Sequence, residues 1–150
     1  MHFIKLYQPL IGTKASFLQS FEGDAMRTNA SLFWSKLDDA SIVFFILTIV
    51  AAIGVVVYYY IPFNNQPGRH YLPKYWWRFL AVSAILGFVI TIGIAMGFAT
   101  PKLNGTLMIE LKVALANAVL AVVTYWIFSW GWCKWVKPMH IAIYKNSFIV

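Results

Sequence analysis

Polar and apolar positions in this chain segregate on the scale of whole helices. Residues 40–61, 79–100 and 113–133 contain no Asp, Glu, Lys or Arg. Each run is close to the ~20 residues an α-helix needs to cross a ~30 Å hydrocarbon layer. Charge returns at their edges, with Asp38 and Asp39 before the first, Lys74 and Arg78 before the second, and Lys134 after the third. The pattern predicts an all-α integral membrane protein with three transmembrane helices. Proline cannot continue helical hydrogen bonding, so Ile61-Pro62 and Thr100-Pro101 are expected to end the first two crossings. The polar runs Asn64-Asn65-Gln66-Pro67-Gly68 and Asn104-Gly105 then turn the chain back. Tyr71 to Arg78 is expected to run along the interface, and Glu110 and Lys112 to start the third helix.

Residues 1–39 form an N-terminal arm in this scheme, 40–133 the transmembrane domain and 134–150 a tail. In the arm, Phe3, Ile4, Leu6, Tyr7, Leu10 and Ile11 are interrupted by Lys5, Gln8 and Pro9. A signal peptide needs an unbroken apolar stretch, so the arm is expected to be interfacial or short-helical, lying on the bilayer or in water. Glu22-Gly23-Asp24 divides it, and Asn29 or Ser31 is a candidate cap for a short helix leading into the first crossing.

Within the crossings the polar positions are themselves periodic. Glu110, Asn117 and Thr124 recur every seven residues, nearly two helical turns, with Ala114 and Ala121 between them. One face of the third helix is therefore small and polar. Two explanations fit: close helix packing with Asn117 bonded across the contact, or a face that lines water when several copies assemble, making Glu110, Asn117 and Thr124 pore-lining residues. On the second helix Ser83, Gly87 and Thr91 recur every four residues, and Gly93 and Gly97 form a GxxxG. These five are candidate helix-packing positions, because small side chains let backbones approach.

Composition supports the membrane reading and narrows the function. The chain is 61% hydrophobic and 11% charged, against ~25% charged in soluble domains. Its net charge of +7 is unevenly placed. Arg69, Lys74, Arg78, Lys134, Lys137 and Lys145 lie in the first loop and tail without an acid, whereas the arm is balanced. The positive-inside rule then puts the N-terminus outside and the C-terminus in the cytoplasm. Six of the seven tryptophans fall at the proposed cytoplasmic interface, all but Trp34. Arg69, Lys74, Trp76, Trp77, Arg78, Lys134, Trp135 and Lys137 are accordingly expected to anchor that interface, and nucleic acid is not an expected partner.

No metal site, cofactor motif or nucleophile–base arrangement is present in the sequence. The histidines at 2, 70 and 140 are scattered, and the single Cys133 is expected to be a buried, inert thiol. An enzyme is not expected. Proton-coupled transporters carry mid-membrane charges, and here no acid lies within a crossing: Glu110, like Asp38 and Asp39, sits at a rim. Three helices leave no interior path, so the expected function is a small homo-oligomeric pore or ion channel that permeabilises or depolarises a bacterial inner membrane. The bilayer and further copies of the chain would be its partners. In length, helix count and orientation the chain resembles phage holins and small membrane effectors of bacterial defence systems, a likeness of architecture rather than motif. The alternative is a non-catalytic transmembrane subunit of a larger transport, secretion or respiratory complex, with other membrane proteins as partners.

Overall fold

In a computed structural model the chain is described over residues 3–67 and 72–135, and no strand occurs among these residues. A 3-10 turn at Phe3–Leu6 precedes α1 (Gln8–Ile11), α2 (Lys14–Gln19), α3 (Asp24–Tyr58), α4 (Pro73–Phe98) and α5 (Thr106–Trp135). The last three are long and apolar enough to cross a membrane, and each packs on the other two, most extensively α4 on α5.

The helices are longer than the charge-free runs. α3 starts at Asp24, not near Asn29 or Ser31, because Gly23 at φ 85° takes the non-helical conformation before it and Asp24 stands in the first turn. Pro62 does not stop it at Ile61. The helix loosens instead into a π turn over Tyr59–Phe63, closed by the Asn64 amide on the Tyr59 carbonyl at 3.2 Å. That i→i+5 pattern accommodates a residue without an N–H. The whole element, Asp24–Phe63, has 40 residues and is about 60 Å long, twice the hydrocarbon thickness. α4 begins at Pro73, a residue suited to a first helical turn, so Lys74 to Arg78 belong to the crossing helix and not to a separate interfacial segment.

The N-terminal arm is built of short helical pieces, the 3-10 turn, α1 and α2. It does not lie apart from the helices. Ile4 and Tyr7 are buried in one core with Phe33, Trp34, Leu37, Phe44 and Val113. The Phe3 ring sits 5.5 Å from Phe45, and Phe17 packs at 5.9 Å and 5.5 Å from Phe33 and Trp34. The arm therefore starts level with the apolar part of α3 and climbs toward its charged extension. Thr13 and Ser16 form a reciprocal cap at the start of α2. At the other end of the bundle Val56, Tyr59, Tyr60, Trp76, Tyr125 and Cys133 form a second core.

Candidate functional site

The small face of α5 is where the polar side chains gather, and it points into the chain's own bundle. Glu110, Ala114, Asn117, Ala121 and Thr124 are all buried. The seven-residue register thus marks a real face, and its neighbours are α3, α4 and the arm of the same copy.

Asn117 is the hub. Its Oδ1 accepts from the Tyr7 hydroxyl at 2.8 Å, and its Nδ2 donates to Thr91 Oγ1 at 2.9 Å. Thr91 Oγ1 in turn donates a hydrogen bond to the Gly87 carbonyl at 2.8 Å. One directed chain of hydrogen bonds ties the arm, α5 and α4 together, and both polar ends of the carboxamide are occupied. Four residues beyond Asn117, the Ala121 carbonyl accepts from Ser83 Oγ at 3.2 Å. At the rim, Glu110 is 1% exposed and ion-paired to Lys102, which also donates to the Ala95 carbonyl at 3.3 Å and is itself 41% exposed.

A second polar knot lies in the aromatic core. Ser129 Oγ accepts from Trp76 Nε1 at 2.7 Å and shares a 2.5 Å hydrogen bond with the Tyr60 hydroxyl. Ser129 carried no signal in the sequence beyond being a hydroxyl within an apolar run. Cys133 is buried with its Sγ 3.4 Å from that same phenol. On α3, Ser41 donates to the Asp38 carbonyl three residues back, while Thr48 Oγ1 is buried without a hydrogen-bond partner among the described residues.

The five candidate packing residues of α4 divide into two sets. Ser83, Gly87 and Thr91 face α5 and are buried there. Gly93 and Gly97 are exposed, and a Cβ added at either would meet nothing within 4 Å. Two residues along a helix is a rotation of about 200°, so Gly93 stands opposite Thr91.

Of the interface anchors, Trp77 and Trp135 are 59% and 74% exposed, and Lys134 lies 5.0 Å from the Trp130 ring centre. Lys74 and Arg78 lie 5.0 Å and 5.5 Å from the Tyr75 ring centre. Trp76 is 2% exposed and is a core residue bonded to Ser129, not a headgroup anchor. Arg69 and Lys137 lie outside the described residues, as does the tail beyond residue 135. Among the described residues no three His, Cys, Asp or Glu side chains come together as a metal site.

Burial pushes the Tyr7 phenol up from 10.0 to about 12. The sign follows: a released arm loses its proton near pH 10, a docked arm near pH 12, so alkali favours release only above pH 10 and fully above 12. Below pH 10 docking is insensitive to this group. The tyrosinate absorbance lost in Tyr7→Phe is expected to titrate near the higher value; titration near 10 would mean the phenol is in water.

The chain matches no protein family, no curated protein and no solved structure.

Proposed function

We propose that this chain is a non-catalytic transmembrane subunit that joins a larger membrane complex through the outer face of α4. One observation carries the reading: the polar face of α5 is consumed within a single copy, through Lys102–Glu110, Tyr7–Asn117 and Asn117–Thr91. What remains outside is apolar, with Ile85, Val89 and Met96 on α4 and Leu115, Val119 and Val123 on α5 exposed. Such faces suit lipid or another helix, and the open Gly93–Gly97 strip permits a close helix approach. The competing reading, a homo-oligomeric pore lined by Glu110, Asn117 and Thr124, requires Glu110 and Asn117 to leave their present partners for water and the buried Thr124 to become exposed. The positive-inside bias supports a cytoplasmic C-terminus, and a bacterial inner membrane is part of the same proposal.

Expression alone and in the native membrane separates the two. The subunit reading expects a monomer in detergent when the chain is made alone, and a larger complex in its own membrane. Gly93→Leu and Gly97→Leu are then expected to free the chain from that complex while leaving its fold intact, because the added side chain blocks an outer contact only. A discrete homo-oligomer that conducts ions in reconstituted bilayers would return the case to the pore. In the same cells, a cysteine at Asn104 is expected to be labelled from outside in a Cys133-free background; labelling from the cytoplasm alone would reverse the orientation.

A further inference from the structure

Between α3 and α4, at the end of the bundle where Thr100 follows the last turn of α4, lies a cleft of about 420 Å³. It is lined by Lys36, Asp39, Ala40, Val43, Ile94 and Phe98. Its chemistry is graded along the helix axis. Lys36, Asp38 and Asp39 are the last charges before the charge-free run that starts at Ala40, and of these Lys36 and Asp39 line the cleft. Val43, about 10 Å further along α3 than Lys36, faces the same space with Ile94 and Phe98. A polar mouth leads to an apolar floor, the same gradient that a bilayer has between its headgroups and its acyl chains.

We propose that this cleft is a lipid site selective for a zwitterionic phospholipid whose headgroup ends in a primary ammonium, the phosphoethanolamine type. The phosphate meets Lys36 Nζ, the ammonium meets the Asp39 carboxylate, and the upper acyl chain lies along Val43, Ile94 and Phe98. Three features argue for this occupant. Positions i and i+3 share a helix face about 5–6 Å apart, which suits the phosphate and ammonium of one headgroup joined by an ethylene spacer. Lys36 donates to the Thr100 hydroxyl at 2.9 Å, which aims its ammonium without neutralising it. Among the described residues neither Lys36 nor Asp39 belongs to an ion pair. Both charges stand ready at the mouth of an otherwise apolar cleft. An anionic lipid would satisfy Lys36 but leave Asp39 facing further negative charge. A choline headgroup offers Asp39 no N–H to accept.

Native mass spectrometry of the purified chain against equimolar phosphatidylethanolamine, phosphatidylcholine and phosphatidylglycerol with matched acyl chains tests the assignment. One phosphatidylethanolamine per chain is expected, enriched about tenfold over phosphatidylcholine, the scale of one partly exposed charge-assisted hydrogen bond. Asp39→Asn is expected to erase that preference while phospholipid still binds. Lys36→Gln, which can still donate to Thr100, is expected to weaken every phospholipid. Val43→Trp fills the floor and is expected to reduce retention with both charges intact. Circular dichroism of each variant separates lost binding from lost fold. Uptake in bath proportions, a phosphatidylethanolamine excess that survives Asp39→Asn, or a second copy of the chain cross-linked at Val43 in place of lipid would each overturn the proposal.

Discussion

Gly87→Ala is expected to destabilise the bundle by about 2 kcal/mol, the scale of an overpacked core, although alanine is the better helix former by about 0.8–1.0 kcal/mol. A Cβ at Gly87 would sit 2.9 Å from the Ala121 Cβ, 2.9 Å from the Asn117 carbonyl oxygen and 3.2 Å from Thr48 Cγ2. Two of these neighbours are a backbone atom and a Cβ, which cannot swing away as a long side chain would. α4 must therefore move from α5, and that shift strains the Thr91–Asn117–Tyr7 chain, whose end is the Gly87 carbonyl itself. Gly87→Leu is expected to prevent stable packing. Gly93→Ala on the same helix is the control: its Cβ meets nothing, so propensity alone acts and stability stays level or rises. Thermal unfolding of the three variants in one detergent measures the contrast. Equal losses at Gly87 and Gly93 would mean that α4 is rotated from the packing described here.

How much of this was legible in the sequence depends on the range of the signal. The three long apolar helices were, because a charge-free run of bilayer length needs no partner to be recognised. The small polar face of α5 was too: Glu110, Asn117 and Thr124 lie on one side of any regular helix. What occupies that face was not. Tyr7 is 110 residues from Asn117, and the arm's apolar residues are broken by Lys5 and Gln8, so its hydropathy resembles that of a surface segment. Its burial depends on shape, with Tyr7 edge-on to Phe44 at 5.8 Å between the helices. Composition likewise cannot separate Trp76 from Trp77; adjacent positions are turned by about 100°, and one ring enters the core while the other leaves it. The GxxxG strip was visible as a motif, yet only the rotation from Thr91 to Gly93 shows that it looks outward.

Lys102→Met is expected to cost about 2–3 kcal/mol, below the 3–5 kcal/mol of a fully buried pair because the ammonium is partly exposed. The loss comes from what stays behind. Glu110 is 1% exposed, and Lys102 is the one cation paired with it among the described residues. Its carboxylate would remain in the bundle without that cation. Lys102 also holds the Ala95 carbonyl and lies 5.9 Å from the Phe33 ring centre, so one side chain links the α4–α5 loop to the end of α4 and to α3. Glu110→Gln is expected to cost less, about 1 kcal/mol, since the carboxamide oxygen still accepts from the ammonium. The double variant Lys102→Met with Glu110→Met removes both charges and is expected to recover most of the stability lost in Lys102→Met alone, which a cycle of unfolding measurements reports as a coupling energy. A glutamate ringed by water at a pore mouth predicts otherwise: each single change within about 0.5 kcal/mol, no coupling, and ion selectivity altered in place of stability. Strong coupling with unchanged conductance would place Glu110 in the framework of the subunit. Weak coupling with altered selectivity would place it in a channel.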